Sequence, residues 1–441
     1  MENHHAIFHQ TLGGSSSPMI KKISLLIIIL VLCACEQTQQ QTSTQMPQAP
    51  ILTQLEITGL WRGVLSSPGG ELPFGIDISK EGENYSAKIL NGEERVDTSS
   101  VEFNHRELII HFDWYDARIK ATISEDGQQL NGEWSKTAPE GISRLPFLAS
   151  RGYDYRFRQE LDNAENSNVA GNWEVVFSDE DGDDVAVAEF SQQGKIVNGT
   201  FLTPTGDYRF LAGSASNQQL RLSAFDGAHA FLFSAQLDDG LLQGDFWSRD
   251  SYHASWQASK AEDTNSYLPS SWEMNKITTK DNSISFAFEN LAGETIQLSD
   301  ERFNHKPVLV NLFGTWCPNC NDEAPVLAKF YDKYRAQGLE MVGLAFEFTE
   351  DPVRDKRQIS RFKQRHNINY PLLLAGVNDK TKATKILGFL DKVKSYPTTI
   401  FLDSNHQVVK IHTGFSGPGT GEHYNKLVNE LEAEIIALLD H

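Results

Sequence analysis

Residues 308–320 of this chain read Val-Leu-Val-Asn-Leu-Phe-Gly-Thr-Trp-Cys-Pro-Asn-Cys. The first six residues form a nearly continuous apolar run, which is typical of a strand buried on both faces of a sheet. A helical pattern then extends from Asp322 to Tyr334. The sequence therefore places two cysteines, Cys317 and Cys320, where a strand ends and a helix begins.

Strand and helix patterns alternate through the rest of the C-terminal region. After the first helix, the patterns predict in order a strand, a helix, a short extended piece, two strands and a helix, at residues 339–346, 354–366, 371–374, 399–402, 407–411 and 424–439. This alternation predicts an α/β domain over residues 283–441.

The position of the cysteine pair predicts redox chemistry. At a helix N-terminus, the unpaired amide N–H groups and the positive end of the helix dipole favour the thiolate form of a cysteine. Because the thiolate is the attacking species in disulfide exchange, Cys317 is the predicted nucleophile. Cys320 lies three residues later on the same helix, so it can close an internal disulfide and expel a bound substrate.

Two other uses of a Cys-x-x-Cys pair are open at this point. A structural zinc site normally needs four ligands, and the histidines of this chain have no spacing that would complete one. A purely structural disulfide would be compatible with an exported protein, in which disulfides persist. However, a loop as small as the one between Cys317 and Cys320, at a strand-to-helix corner, is typical of a redox couple. We therefore predict no metal and no cofactor at this site.

The motif Trp316-Cys317-Pro318-Asn319-Cys320 resembles the Trp-Cys-x-x-Cys of the thioredoxin superfamily, and in particular of the TlpA-like, membrane-tethered thiol-disulfide oxidoreductases of bacteria. Pro325 and the loop 395–399 match the helix proline and the cis-proline loop of that family. The resemblance covers residues 283–441. It implies a thioredoxin-like fold and protein thiol-disulfide oxidoreductase activity, mostly in the direction of a reductase that a membrane electron donor recharges.

The resemblance also implies roles for individual side chains. A cis bond between Tyr396 and Pro397 would place their loop against the cysteine pair, where it holds an extended substrate peptide, and Trp316 would serve as a docking surface. Without the resemblance, Pro397 would be only the start of a strand. Glu323 matches a carboxylate of many TlpA-like proteins and would take the proton of the Cys320 thiol, the alternative being an ordinary surface carboxylate near a helix start.

A thiol peroxidase is the nearest enzymatic alternative, because peroxiredoxins share this α/β arrangement. That family places a threonine three residues before its reactive cysteine and no second cysteine three residues after it. In this chain Gly314 stands at the threonine position and Cys320 follows Cys317. These two departures rank the peroxidase below the disulfide oxidoreductase.

The central region contains an internal duplication. Ile57–Trp61 recurs 112 residues later as Val169–Trp173, and further anchors repeat at the same offset. Within each copy, alternating apolar runs separated by turn signals predict an antiparallel meander. We therefore predict two β repeats, at 54–150 and 165–260, followed by a linker at 261–282.

The two repeats resemble lipocalin-like β units. Such a unit either closes on its sister copy or forms its own small barrel. Its interior is either filled by core aromatics, the interpretation that we favour, or holds an apolar ligand, which would make the chain an envelope binding lipoprotein with a secondary redox domain. The acidic run 179–184 is typical of an exposed hairpin turn and lacks the distal glutamate of a calcium loop.

The N-terminal residues have the pattern of a secretory signal. The apolar run 23–34 follows two lysines and is too short to span a bilayer of ~30 Å as a helix. Leu32-Cys33-Ala34-Cys35 resembles the bacterial lipobox. We therefore predict a signal peptide at 1–35 and lipidation of Cys35, with an uncleaved signal anchor and a soluble export signal as alternatives.

Two further features flank this signal. Met19 directly precedes the basic pair and is an alternative start of translation. Residues 36–53 are rich in Gln and Thr and contain prolines, so they cannot bury enough apolar surface to fold and are predicted to be a flexible tether.

Charge excludes one class of partner. The 441 residues include 39 Lys and Arg against 59 Asp and Glu, a formal net charge of -20. Because neutralising a phosphate backbone needs a surplus of bases, we expect no nucleic acid partner. The basic cluster at 361–365 is predicted to be solvated on its helix, with an acidic partner, including the chain's own β region, as the alternative.

These features combine into one prediction. The chain is expected to be a multidomain lipoprotein of the bacterial cell envelope, with an antiparallel all-β duplicated region and a C-terminal α/β thioredoxin-like domain. Its expected partners are disulfide-containing envelope proteins and a membrane electron donor, and its expected location is lipid-anchored and periplasm-facing.

Overall fold

The computed structural model describes residues 55–160, 163, 165–264 and 267–440 of the chain. The predicted signal peptide, the start at Met19, the lipidated Cys35 and the tether at 36–53 lie outside the described residues. Within the described ranges, no helix is both long enough and apolar enough to cross a membrane.

The first β unit is an antiparallel sheet of nine strands. They are β1 (Gly59–Ser67), β2 (Gly70–Glu81), β3 (Asn84–Asn91), β4 (Glu94–Asp97), β5 (Ser100–Asn104), β6 (Glu107–Phe112), β7 (Ala117–Ile123), β8 (Gln129–Ala138) and β9 (Gly141–Arg151). Their order is β2-β1-β9-β8-β7-β6-β5-β3-β4, and β2 also pairs with β3. That additional pairing closes the sheet into a barrel, which leaves β4 outside the ring on β3.

The second β unit repeats this topology. Its strands are β10 (Gly171–Asp179), β11 (Gly182–Gln193), β12 (Ile196–Thr203), β13 (Gly206–Asp207), β14 (Leu211–Ser216), β15 (Gln219–Phe225), β16 (Ala230–Asp238), β17 (Leu241–Ser248) and β18 (Tyr252–Ala261). The order β11-β10-β18-β17-β16-β15-β14-β12-β13, with an additional β11–β12 pairing, matches the first unit strand for strand. The predicted duplicated antiparallel region is confirmed, and each copy closes on itself.

A buried tryptophan is held in the same way at the start of each barrel. Nε1 of Trp61 donates a hydrogen bond to the backbone oxygen of Ile57 at 2.8 Å. Nε1 of Trp173 donates to the backbone oxygen of Val169 at 2.9 Å. The sequence repeat thus corresponds to a repeated structural contact.

Aromatic side chains of the chain itself fill the interiors of both barrels. In the second barrel, the ring of Phe233 stacks on Phe201 and Phe246 at centroid distances of 4.6 and 4.3 Å. In the first barrel, Phe225 from the second barrel packs 4.3 Å from Phe74. Because protein interiors are close-packed, these rings favour a filled core over an apolar ligand cavity.

The connection between β15 and β16 joins the two barrels. The indole Nε1 of Trp134, in the first barrel, donates to the backbone oxygen of Gly227 at 2.8 Å. Gly227 has a φ of +99°, and a Cβ there would lie 2.1 Å from the ring of Phe112. Only glycine therefore allows this approach of the connection to the first barrel.

The C-terminal domain contains seven strands and four helices. They are β19 (Ala287–Asn290), β20 (Thr295–Gln297), β21 (Val308–Phe313), α1 (Pro318–Tyr334), β22 (Glu340–Glu347), α2 (Pro352–Arg365), β23 (Leu372–Val377), α3 (Lys380–Leu387), β24 (Thr398–Leu402), β25 (Val408–Thr413) and α4 (Glu422–Leu439). The strand order is β20-β19-β23-β22-β21-β24-β25. β21 pairs in parallel with β22 and antiparallel with β24. This mixed sheet with helices confirms the predicted thioredoxin-like fold.

Short 3₁₀ turns connect several of these elements. They lie at Asp113–Tyr115, Arg158–Glu160, Glu301–Phe303, Arg335–Gln337 and Pro418–Thr420. The first of them, between β6 and β7, contacts the C-terminal domain.

Helix α1 begins at Pro318 instead of the predicted Asp322. Proline suits the first helical position because its missing N–H would have no intrahelical partner there and its φ already fits the helix. Pro325 lies inside the helix, as the resemblance implied. The pattern-based boundary failed because the first turn contains few apolar residues.

Helix α2 carries the basic cluster, and part of that cluster packs against the first barrel. The guanidinium of Arg365 lies 3.4 Å from the ring centroid of Trp114. Nη2 of Arg361 lies 3.7 Å from Oδ1 of Asp113. The prediction of a fully solvated basic cluster is therefore wrong, and the chain's own β region is the partner of these two arginines.

Candidate active site

Two free cysteines lie at the N-terminus of α1. Cys317 is the N-cap residue, and its Sγ accepts a hydrogen bond from the backbone N–H of Cys320 at 3.4 Å. The two residues are only 4% and 1% exposed. The sulfur of Cys317 therefore lies at the positive end of the helix dipole, beside a backbone amide donor.

The loop before β24 lies against Cys317. The peptide bond between Tyr396 and Pro397 is cis, as the resemblance implied. Sγ of Cys317 donates to the backbone oxygen of Tyr396 at 3.4 Å. Pro397 also directly precedes β24, so it stands at a strand start as well. The antiparallel pairing of β24 with β21 positions this loop beside the start of α1.

Trp316 forms the aromatic side of the site. Its Nε1 donates to the backbone oxygen of Phe346 at 2.8 Å. Its ring stacks on Phe348 at 4.9 Å and meets Tyr396 edge-on at 5.9 Å. The structure thus brings Trp316 against Tyr396, whose backbone oxygen contacts Cys317 and whose cis bond leads to Pro397.

Glu323 is a buried residue of α1, three positions after Cys320. It is 1% exposed, and its carboxylate accepts hydrogen bonds from Nδ2 of Asn311 at 2.7 Å and Oγ1 of Thr399 at 2.9 Å. Burial raises the pKa of Glu323 to about 7, against the effect of both hydrogen bonds. The alternative of a surface carboxylate is therefore wrong.

The Cys320 thiol is electrostatically linked to its neighbours. Burial, together with the hydrogen bond and charge of Cys317, raises the pKa of Cys320 well above its usual value, and the negative charge of Glu323 raises it further. Cys320 therefore stays protonated near neutral pH unless a base removes the proton. Glu323 is an acid–base group of suitable pKa in the same buried environment.

Three supporting residues were not predicted from the sequence. Asn311 and Thr399 hold the Glu323 carboxylate, and Glu347 accepts hydrogen bonds from N and Oγ1 of Thr315 at 2.9 and 2.8 Å. Burial raises the pKa of Glu347 to about 7. Asn311 could have been identified from the sequence, because a polar residue in a strand buried on both faces needs a hydrogen-bond partner.

The first barrel also borders the site. Lys136, on β8, is 3% exposed, and its Nζ lies 5.7 Å from the ring centroid of Phe348. Burial lowers the pKa of Lys136 to about 7, while the nearby Cys317 acts in the opposite direction. No sequence pattern predicted this approach, because β8 lies far from the cysteine motif along the chain.

Gly314 has no room for a larger side chain. A Cβ at this position would lie 2.2 Å from Nε1 of Trp316 and 2.9 Å from the backbone oxygen of Phe346. A threonine here would therefore require the indole to move. This packing is a structural reason against the peroxidase alternative, which needs a threonine at this position.

Within the described part of the chain, no group of three or more His, Cys, Asp or Glu side chains is arranged to hold a metal ion. The acidic run 179–184 forms the hairpin turn between β10 and β11, where Asp179 pairs with Gly182.

Comparisons with known proteins find relatives of the C-terminal region. The model of the AhpC/TSA family matches residues 279–411. Thiol-disulfide oxidoreductase ResA of Halalkalibacterium halodurans is 31% identical over 133 residues, which cover 30% of this chain and 66% of that protein. Thioredoxin-like protein YneN of Bacillus subtilis is 30% identical over 131 residues, which cover 29% of this chain and 68% of YneN.

A solved structure is similar to the same region. The putative thiol:disulfide interchange protein DsbE from Chlorobium tepidum has 21% sequence identity and a TM-score of 0.29, and the match covers 37% of this chain and 99% of that one. The chain spans slightly less than two thirds of the length of the ResA relative.

Proposed function

Because the C-terminal region of this chain belongs to the thioredoxin superfamily, among its TlpA-like members, we propose that the protein is a thiol-disulfide oxidoreductase that works through Cys317 and Cys320. One observation carries this proposal. The Sγ of Cys317 caps the N-terminus of α1, 3.4 Å from the amide nitrogen of Cys320, and the same helix carries the buried Glu323.

The reaction is a two-electron exchange. The Cys317 thiolate attacks one sulfur of a substrate disulfide, which forms a mixed disulfide and releases the other substrate sulfur as a thiolate. Glu323 takes the proton of Cys320, whose sulfur attacks Cys317 and expels the second substrate thiolate. The substrate gains two electrons, and the Cys317–Cys320 pair becomes a disulfide that an external dithiol donor must reduce again.

We assign the protein to the cell envelope and to the reductase direction. Lipidation of Cys35 and the tether at 36–53 would hold the redox domain at a membrane surface, facing the periplasm. A membrane electron donor would recharge the cysteine pair, and disulfide-containing envelope proteins would be its substrates. The sequence of the N-terminal residues and the kinship to TlpA-like proteins support this assignment.

Reduction of insulin tests the proposed activity. With dithiothreitol as the electron source, the full chain should accelerate precipitation of the insulin B chain above the dithiothreitol background. The same chain with its cysteines alkylated should show only the background rate. Faster consumption of hydrogen peroxide than of insulin disulfides would instead support the peroxidase.

Replacing Glu323 with glutamine should slow release of the reduced substrate by about 10²-fold near neutral pH, the usual size of a general-base contribution. In the unmodified chain, the release rate should rise with pH through about 7, as the carboxyl group loses its proton, and then level off. The release rate of the variant should increase with pH without levelling off above about 7. In the variant, only direct ionisation of the Cys320 thiol, whose pKa is raised, can supply the attacking thiolate.

Single-turnover kinetics across a pH series measures this effect. Glu301→Gln, a change on an exposed turn, is the matched control and should keep the pH profile of the unmodified chain. If Glu323→Gln keeps the same profile too, Glu323 is not the base.

A further inference from the structure

A segment of the second barrel lies against the redox site. Residues 204–209, around β13, pass between the start of α1 and the loop that follows β25. The backbone oxygen of Thr205 accepts hydrogen bonds from the backbone N–H of Phe415 at 3.3 Å and from Nδ2 of Asn319 at 3.5 Å. Asn319 lies between the two cysteines in sequence, so this segment contacts the active-site turn itself.

The fit between this segment and the redox domain is close. A Cβ at Gly206 would lie 1.6 Å from Nδ2 of Asn319, and a Cβ at Gly414 would lie 2.3 Å from the backbone oxygen of Thr205. Oδ1 of Asp207 accepts a hydrogen bond from the backbone N–H of Gly417 at 2.6 Å. The segment is therefore packed against the site with no room between them for another peptide.

A buried arginine fastens the segment. Nη1 of Arg209 lies 2.9 Å from Oδ2 of Asp322 on α1, and Nη2 lies 2.5 Å from Oε1 of Glu94 in the first barrel. Nε lies 3.5 Å from Oδ2 of Asp226 in the second barrel. One guanidinium thus joins carboxylates from both barrels and from the redox domain. Removing it would leave three largely buried carboxylates close together without that cation, which strongly disfavours the closed arrangement.

The first barrel also lies against the redox site, through Lys136 on β8. Nζ of Lys136 lies 5.3 Å from the ring centroid of Tyr115 and 5.7 Å from that of Phe348, the ring that stacks on Trp316. Cys317 itself is only 4% exposed. A nucleophile of a protein disulfide reductase must reach a sulfur on another macromolecule, and this arrangement does not allow that.

We propose that residues 204–209 of the second barrel, fastened by Arg209, determine which disulfides reach Cys317, so that protein disulfides react only after this segment is displaced. The proposal rests on the proposed function for its substrates. In this proposal, the duplicated β region controls the access of substrate disulfides to Cys317 and does not bind a separate ligand.

Alkylation of Cys317 with two reagents of different size tests this proposal. The reduced full chain is treated with N-ethylmaleimide or with a maleimide on a polyethylene glycol chain of about 5 kDa, and mass spectrometry follows the peptide that carries Cys317. Arg209→Gln should raise the ratio of the large-reagent rate to the small-reagent rate by about tenfold or more, because the fastening charge is lost.

A second variant acts without changing the arginine. Asp207→Ala removes the acceptor for the backbone N–H of Gly417 and should raise the ratio of the large-reagent rate to the small-reagent rate. Asp207→Asn retains an oxygen acceptor, so its ratio should stay close to that of the unmodified chain. Arg144→Gln is the matched control, because Arg144 pairs with Glu133 on an exposed face of the first barrel. The Arg144→Gln chain should show the same ratio of large-reagent to small-reagent alkylation rates as the unmodified chain.

The outcomes separate the two proposals. If the unmodified chain reacts with the large reagent as readily as a short cysteine peptide does, or if neither Arg209→Gln nor Asp207→Ala changes the ratio, the segment does not control access. Alkylation needs no catalytic turnover, so the reagent ratio reports on the segment alone. Failure of the proposed function would appear as an absence of insulin reduction in the Arg209→Gln chain as well as in the unmodified one.

Discussion

Replacing Cys317 with serine should lower the rate of insulin reduction by about 10³-fold or more, since the reaction loses its nucleophile. A serine hydroxyl is scarcely ionised near neutral pH, and its oxygen is a poor nucleophile toward a disulfide sulfur. The helix terminus and the Cys320 amide would still surround this position, but no sulfur would be there to attack the substrate.

The insulin assay with dithiothreitol measures this loss. Thermal unfolding of the variant should stay close to that of the unmodified chain, because serine replaces a sulfur atom with a slightly smaller oxygen. A variant that retained more than a tenth of the activity would show that another group attacks the substrate, and the assignment of Cys317 would be wrong.

Replacing Cys320 with serine should have a different outcome, in which turnover falls by about 10²-fold or more while the first chemical step persists. Cys317 would still attack the substrate, but no second thiol would expel it. The mixed disulfide between Cys317 and the substrate should therefore accumulate.

Non-reducing electrophoresis of the variant with a protein substrate detects this species. It should disappear on addition of dithiothreitol and should be absent when Cys317 is also replaced by serine. If Cys320→Ser turned over substrate like the unmodified chain, the resolving role of Cys320 would be excluded.

The local chemistry of the site was largely predictable from the sequence. An apolar run ending at Phe313 predicted a buried strand, and two cysteines three residues apart predicted a redox couple at the head of a helix. The recurrence of Trp61 as Trp173 predicted two copies of one β unit. These signals are short-range or periodic, so they can be read without knowing which surfaces meet.

The contacts between domains were not predictable in the same way. Arg209 and Asp322 are separated by more than a hundred positions, and nothing local to either residue indicates that they form an ion pair. The same holds for Arg365 and Trp114. The burial of Glu323 was not predicted, for a related reason. Its spacing of three residues from Cys320 fixes the face of the helix on which it lies, but not what covers that face.

The closure of each barrel limits the ways in which neighbouring copies of this chain can pair through their strands. An open sheet presents an unpaired strand edge, to which the strand of another molecule can add and begin aggregation. Pairing of β2 with β3 and of β11 with β12 removes the long edges, and the strands left outside the two rings are only four residues long in β4 and two in β13. Copies packed side by side can therefore remain separate molecules even though nearly half of the described residues of each copy lie in β-strands.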